Sequence, residues 1–586
     1  MGEQLIMNRK RIIQGIDNFK EMIENNAYYV DKTLLIKELI DRKDKIVLIT
    51  RPRRFGKTLN MSMLKYFFEI PKCRKHDLED EDVSCLFSDF DIFKAGEEYK
   101  KEFACYPVVY MTFKDAKQSS WKATLYNLKE TIVREYRRHG YLLEVNVLDD
   151  IEKEKYTRIL SGEADVLDYT DVISNLTEYL KRYFKKDCYV IIDEYDTPIQ
   201  AGYLESYFEE VLEFMKSILV KGFKDNKALK QGVLTGIMKV AQESIFSDFN
   251  NPMICTVLSE ELADKFGFTE DEVEEMAKYY GMEEYLQDIK KWYNGYIFGG
   301  NEVIYNPWSI IKFMYNPSNG LKPYWVNSSD NRIIKQVMQL DKSEGRKVVE
   351  KLIEGEIVEK EIEENVIYQS IDTNPEVAWS FLLHAGYLKA YGRYQERLKY
   401  KYKLAIPNLE VQTVYEDMII SYFKEDEDIL GDIDYILKSL FDNDIEHFER
   451  LIKELYLGQV SYHDTAIDNL KEREQREKFE SFHHGFMLGL FVLMGKRFIV
   501  ESNKEYGLGR PDIVIIPRDK AKTAYVFEFK WDSTKGSKTL EDLSNEALGQ
   551  IKEKKYKEGV EKVHGHKNIV CIGMGFKGKE LKMIVT

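Results

Sequence analysis

Ile46-Val-Leu-Ile-Thr-Arg-Pro-Arg-Arg-Phe-Gly-Lys-Thr58 decides how the chain is read. Its opening apolar run has the length of a short buried strand. Gly56-Lys57-Thr58 then leads into an apolar-periodic stretch, Leu59 to Phe68, that predicts a helix. Strand, tight turn, Gly-Lys-Thr and helix together are the setting of a phosphate-binding loop. N–H groups at the start of such a helix point at an anion, and the helix dipole favours negative charge there. In this reading Gly56 makes the turn, Lys57 reaches the β- and γ-phosphates of ATP, and the Thr58 hydroxyl binds Mg²⁺. Arg53 and Arg54, beside the loop, are candidates to report the γ-phosphate or to meet an acidic surface of a neighbouring domain. One position departs from G-x-x-x-x-G-K-[ST]: Arg51 stands where the first glycine belongs.

Further along, Pro107-Val-Val-Tyr-Met-Thr-Phe113 predicts a second strand, and Cys188-Tyr-Val-Ile-Ile-Asp193-Glu194 an apolar strand ending in two carboxylates. In an open α/β sheet that end lies beside the phosphate loop. Asp193 would hold Mg²⁺ through water, and Glu194 would polarise the attacking water. Lys230 to Gly236 predicts the next strand, whose end carries Thr235 as a γ-phosphate sensor, with Lys239 just beyond. Tyr28-Tyr29, ahead of the first strand, lies against the base or packs in the core. From about 265 to 410 the chain reads as helical and aromatic, with Asn294-Gly295 and Asn306-Pro307 as turn signals and Leu404-Ala-Ile-Pro-Asn-Leu-Glu-Val411 as a short strand. Residues 412–480 read as charged helix, including Lys471-Glu-Arg-Glu-Gln-Arg-Glu-Lys478.

A chain of 586 residues implies two to four domains. Hydrophobic residues at 44% and charged residues at 32% suit a globular class with ample core. No apolar run approaches the roughly 20 residues that span a bilayer, and no signal-peptide core opens the sequence. The six cysteines form no C-x-x-C pair, so a reducing cytoplasm is expected and no membrane partner. A net charge of −15 argues against a simple basic nucleic-acid binder, yet it is unevenly spread. Residues 481–586 carry 19 Lys and Arg against 13 Asp and Glu, a net of +6, which leaves −21 for the rest. A basic tail on an acidic body points to nucleic-acid contact through the tail.

That tail holds a second constellation. Glu480 to Met494 predicts an apolar helix with His483-His484, Lys496 to Glu501 a strand, and Gly507-Leu-Gly-Arg-Pro-Asp512 a turn into Ile513-Val-Ile-Ile516. Ala524-Tyr-Val-Phe-Glu528-Phe-Lys530 predicts a strand on which Glu528 and Lys530 share a face. A helix over about 541–559 and a strand over 568–573 complete the order αβββαβ. Asp512 and Glu528 on neighbouring strands offer hard oxygen ligands to Mg²⁺. The metal lowers the pKa of its water, and Lys530 orients or deprotonates that water and offsets transition-state charge. Glu480 is an accessory ligand or orienter. Glu505 and Gln550 are candidates to line the cleft, with Tyr556 one or two turns beyond Gln550, and His483 and His484 are either ligands or core and supporting histidines.

The sequence resembles the bacterial AAA-ATPase-like proteins with a C-terminal PD-(D/E)XK nuclease domain. The resemblance rests on Tyr29-Val-Asp-Lys-Thr33, Arg51 to Thr58, Ile192-Asp-Glu-Tyr-Asp196, Leu234-Thr-Gly-Ile237, Tyr293-Asn-Gly-Tyr296, Tyr305-Asn-Pro307, Ala385-Gly-Tyr-Leu388, Gly507 to Asp512, Glu528-Phe-Lys530 and Gln550 to Tyr556. It implies ATP binding and a nuclease fold, with defence against foreign DNA or mobile-element biology as the expected setting. The expected fold class is α/β. An AAA-like P-loop domain over 1–265, with a parallel sheet covered on both faces, precedes a helical, aromatic region over 266–415. A charged helical connector follows over 416–479, then a restriction-endonuclease-like domain over 480–586. ATP and Mg²⁺ are the expected cofactors, and nucleic acid, DNA ahead of RNA, the expected partner. A homo-oligomer is compatible with the sequence but not readable from it. The alternative is a nucleotide-controlled switch whose nuclease fold binds nucleic acid or a partner without cutting.

Overall fold

The computed structural model describes residues 9–71, 83–240, 249, 251–326, 344–353, 355–364, 370, 374–396, 399–415, 435–459, 483–484, 487–488, 490–491, 498–502, 504–520, 522–532, 536–577 and 580–586. The chain packs as two compact units, Met1–Asp341 with Glu359–Val411, and Lys342–Val358 with Gln412–Thr586. Glu480 and the charged run 471–478 lie outside the described residues. Among the described residues, no helix is long and apolar enough to cross a membrane.

The first unit is built on a fully parallel sheet of β1 (Ile46–Thr50), β2 (Val108–Thr112), β3 (Cys188–Asp193), β4 (Leu229–Gly236) and β5 (Met253–Cys255), in the order β2-β3-β4-β1-β5. Every residue of β1 and β3 is buried, as a parallel sheet covered on both faces requires. Val47, Ile49, Tyr189, Ile191 and Val233 face the helix Lys57–Phe68, whose Phe68 ring stacks on Tyr189 at 3.9 Å. Met61, Met63, Leu64, Phe67 and Phe68 of that helix are wholly buried, each contributing about 2 kcal/mol. On the other face Val109 and Met111 meet Ile132 and Tyr136 of the helix Trp121–Arg138 and Ile173 and Leu176 of the helix Val172–Phe184. Because β4 runs between β1 and β3, Thr50 pairs with Gly236 while Thr112 pairs with Asp193. The phosphate-loop end of β1 and the polar ends of β2, β3 and β4 therefore share one edge.

The middle of the chain adds two three-stranded sheets that its aromatic, charged sequence did not announce. They are β6 (Phe268–Thr269), β7 (Tyr296–Phe298) and β8 (Glu302–Tyr305), and β9 (Val358–Glu361), β10 (Lys389–Glu396) and β11 (Lys399–Ala405). Asn306-Pro307 starts the helix Pro307–Tyr315 rather than only a turn: the Asn306 side chain accepts from the N–H groups of Trp308 and Ser309, and Pro307 holds the first helical position. The strand expected over 404–411 is corrected. β11 ends at Ala405 and residues 409–415 are helical. Pro407 has no N–H to offer a ladder, and the Asn408 side chain caps the helix by accepting from Val411 N at 3.1 Å.

In the second unit, β12 (Phe498–Ser502), β13 (Ile513–Pro517), β14 (Ala524–Asp532), β15 (Ile569–Lys577) and β16 (Glu580–Val585) form one sheet in chain order, parallel only between β14 and β15. The antiparallel edge strand β16 extends the expected αβββαβ order. Phe527 and Phe529 of β14 face one core and Ala524 and Val526 the other, so Glu528 and Lys530 continue the row on the second face. The helix Leu540–Glu553 lies tight on that face. A Cβ at Gly573 would stand 2.3 Å from the Ser544 carbonyl oxygen, so only glycine allows the approach. The single helix expected over 541–559 is two, Leu540–Glu553 and Tyr556–His564, broken where Lys555 turns left-handed at φ 55°.

Candidate functional site

The edge of the parallel sheet gathers the first set of predicted residues. Thr58 Oγ1 donates to Asp193 Oδ2 at 2.8 Å, and Thr235 Oγ1 donates to Asp193 Oδ1 at 2.7 Å. Thr112 Oγ1 donates to Oδ2 as well, at 3.3 Å. The buried Lys57 ammonium folds back onto the loop carbonyls of Arg51 and Pro52, at 3.0 and 2.9 Å. Gly56 takes φ 83°, the left-handed turn that points the first N–H groups of the helix outward. A cavity of about 430 Å³ opens over this loop, a size that suits a small-molecule ligand. Arg53, Arg54, Lys57, Thr58 and Glu194 line it on the loop side; Ile13, Ile16, Tyr28, Phe268 and Ile311 give it an apolar wall. Tyr28 and Tyr29 both line the cavity, and the buried Tyr29 also packs edge-on against Phe19 and Phe90. Arg53 donates to Gln200 Oε1 at 2.5 Å, and the Arg54 guanidinium lies 4.3 Å from the centre of the Trp308 ring. Lys239 is not among the residues lining the cavity.

The second set meets across β13 and β14. Asp512 precedes β13, and its Oδ2 accepts from Phe529 N at 2.7 Å. Glu528 is 2% exposed; its Oε1 accepts from Lys530 Nζ at 3.3 Å and from Gln550 Nε2. Tyr556 Oη is 3.5 Å from Gln550 Nε2 and donates to the Arg510 carbonyl at 3.2 Å. Glu505 instead stands exposed on the hairpin and pairs with Arg510 at 2.9 Å. His484 Nε2 lies 2.9 Å from the Asp512 carbonyl and 2.8 Å from Ser502 Oγ, a support for the chain at Asp512. His483 is a core residue, stacked on Phe576 at 4.1 Å, with burial pushing its pKa down to about 3.

Comparison with known proteins gives two family matches. Residues 13–246 match the family described as "Predicted AAA-ATPase", and residues 478–586 match the PD-(D/E)XK nuclease superfamily. The chain carries both domains, in that order. The "Uncharacterized protein in vnfD 5'region" of Azotobacter chroococcum mcd 1 is 23% identical over 577 residues, covering 95% of this chain and 96% of that protein. No solved structure matches the chain.

The AAA-ATPase-like domain buries charges of both signs at this edge. Burial lowers the pKa of Lys57, opposed by Glu194, Asp193 and Asp196, while burial and then Glu194 raise that of Asp193. A buried cation resting on carbonyls fits an anion, and a buried carboxylate with the Thr58 and Thr235 hydroxyls fits a divalent cation. In the nuclease-superfamily domain, burial raises the pKa of Asp512, and burial together with Asp512 pushes Glu528 up to about 8. Among the described residues Glu528 Oε2 is buried without a hydrogen-bond partner, and with Asp512 beside it the pair fits a divalent cation.

Three elements escaped the sequence. Arg51 is wholly buried and staples the loop: its guanidinium donates to the carbonyls of Thr50, Cys255, Thr256 and Leu262 at 2.8 to 3.0 Å, between the rings of Phe266 and Phe298. It has no positive φ, so this position does not need glycine. Tyr195 and Asp196 clamp the segment after Thr235. Tyr195 Oη donates to the Met238 carbonyl at 2.7 Å, and Asp196 Oδ2 accepts from Ile237 N and Met238 N at 2.8 and 3.1 Å. The carboxylate in Ile192-Asp-Glu-Tyr-Asp196 was the available signal.

The third element ties the loop to the middle of the chain. Trp325 Nε1 donates to the Arg53 carbonyl at 3.0 Å, and Glu410 accepts from Trp325 N at 2.6 Å and Ser309 Oγ at 2.7 Å. Burial pushes Glu410 up to about 7 from 4.5. The folded chain thus keeps a proton that the unfolded chain releases. That contribution to stability is full below about pH 4.5 and is lost as pH rises through about 7. Glu410→Gln should therefore stabilise the protein at pH 8 by on the order of 2 kcal/mol and change little at pH 5. Melting curves with the same pH dependence in both proteins would contradict this.

Proposed function

We propose that the chain binds and hydrolyses ATP at the edge of its parallel sheet and cuts nucleic acid, DNA ahead of RNA, in a Mg²⁺-dependent reaction at Asp512, Glu528 and Lys530. The observation that carries the reading is the clustering of those three side chains and Gln550 around a buried carboxylate oxygen that has no hydrogen-bond partner among the described residues. Bound at Thr58 and Asp193, and at Asp512 and Glu528, Mg²⁺ would neutralise phosphate charge and lower the pKa of a water. The chain supplies the rest. Lys57 and the N–H groups after Gly56 hold phosphate, Thr235 positions Asp193, and Glu194 faces the cavity to polarise water. Phe529 N–H and Gln550 fix the two carboxylates of the nuclease site, while Lys530 orients or deprotonates the attacking water and offsets developing charge.

The loop is also placed to make nucleotide binding felt elsewhere in its own unit. Gly386 leaves room for Pro52, Trp325 holds the Arg53 carbonyl, and Phe55 packs edge-on to Tyr296 at 5.0 Å. ATP would govern cutting by favouring one arrangement of these contacts, since a ligand with equal affinity for two states shifts neither. Such a pairing suits defence against foreign DNA, or mobile-element biology, in the cytoplasm. Calorimetry tests the ATP half: Lys57→Ala should weaken ATP-Mg²⁺ binding by about 100-fold or more. Equal affinity in the two proteins would overturn it.

A further inference from the structure

We propose that Leu508 is an apolar wedge that enters a base step of duplex nucleic acid beside the phosphate to be cut. The inference rests on the nuclease reading above. Leu508 sits at the tip of a hairpin that ends at Asp512. At 69% exposure it is the most exposed large apolar side chain of the second unit among the described residues. A lone exposed leucine is ordinary; its mounting here is not.

Tyr506 and Gly509 exchange both backbone hydrogen bonds, at 2.8 and 3.2 Å, which closes a turn with Gly507 and Leu508 at its centre. Leu508 N donates to the Lys554 carbonyl at 2.7 Å. Gly507 takes φ 60°, and a Cβ on it would stand 2.3 and 2.4 Å from the carbonyl oxygens of Lys555 and Lys554. A Cβ on Gly559 would stand 2.3 Å from Gly507 N. The turn is thus seated on the helix break with no room to rock, and it carries the leucine outward. Its first central residue needs glycine, but the second accepts polar residues at no conformational cost, so a leucine there calls for an apolar surface to meet.

The chemistry around the tip says which surface. The Arg510 carbonyl accepts from Tyr556 Oη, which lies beside Gln550, and Gln550 bonds Glu528. The hairpin that carries the wedge is therefore linked at Arg510, through Tyr556 and Gln550, to the Glu528 carboxylate. Lys504, Arg510, Lys555 and Lys557 are exposed about it. Arg510 and Lys504 are held by Glu505 and Glu501 in partly exposed pairs at 2.9 and 2.8 Å, weak enough to be exchanged for backbone phosphates. Cations for phosphates around one rigid apolar point match a duplex whose bases are pushed apart and whose backbone is kinked at the cut.

The test uses full-length protein and duplexes carrying 2-aminopurine at successive positions, with Mg²⁺ and a Lys530→Ala background to hold the complex uncut. Binding should raise the fluorescence at one step, and adding Leu508→Ala should abolish the rise. In the otherwise natural chain, Leu508→Ala should cut paired duplex about tenfold more slowly, a mismatch at the cut step should restore the rate, and Leu508→Met should behave as the natural protein. Unchanged fluorescence and rate in Leu508→Ala overturns the wedge and leaves the nuclease reading standing. So does a Leu508→Ala protein that loses a protein partner but still unstacks the duplex. If the natural protein cuts no nucleic acid at all, the nuclease reading fails and the wedge falls with it.

Discussion

Lys530→Ala should slow nucleic-acid cleavage by about 100- to 1,000-fold, the cost of removing one preorganised donor from a site of phosphate chemistry. The expectation follows from where the ammonium is held. It lies 3.3 Å from Glu528 Oε1 and donates to the Phe529 carbonyl at 3.2 Å, so it is fixed beside the carboxylates yet partly exposed. The fold should survive, because Gln550 still donates to Glu528 and the helix Leu540–Glu553 still seats on Gly573. Cleavage time courses beside ATP-binding isotherms check both parts. A variant that cuts at the natural rate removes Lys530 from the chemistry, and one that also loses ATP binding has failed structurally.

Glu194→Gln should leave ATP binding in place and slow hydrolysis by about 100-fold or more, the usual weight of a general base. Glu194 takes φ 53°, a costly conformation for a residue with a Cβ. It is braced there by Tyr195 N donating to the Thr235 carbonyl at 3.0 Å and by Thr197 Oγ1 donating to its own carboxylate at 3.1 Å. Glutamine keeps the shape and the acceptor but cannot take a proton. Phosphate release together with calorimetry separates the two effects. Loss of binding in Glu194→Gln would make the residue a binding or structural group, and unchanged turnover would take it out of the reaction.

What could be read from the sequence was local. The apolar runs before Gly56 and before Asp193, and the alternation that puts Glu528 and Lys530 on one face, are patterns within a few residues of the chemistry. What escaped depends on partners far away in the chain. Arg51 replaces a glycine because its hydrogen bonds go to residues 255, 256 and 262, and Glu410 matters through Trp325 and Arg53. Neither pairing leaves a periodic trace. Asn408 looked like part of a strand because apolar residues flank it, yet its side chain starts a helix. The helix break at Lys555 carries no glycine or proline to mark it, and it is set by the hairpin of Gly507 packing against the carbonyls of Lys554 and Lys555.

The most direct measurement is cleavage of mixed DNA and RNA by the full-length protein with Mg²⁺, in the absence of nucleotide, with ATP and with a non-hydrolysable analogue, beside Lys57→Ala and Lys530→Ala. Cutting should require Mg²⁺ and Lys530, differ among the three nucleotide conditions, and no longer respond to nucleotide in Lys57→Ala. Cutting by Lys530→Ala at the natural rate, or a natural protein that cuts no nucleic acid in any condition, would contradict this.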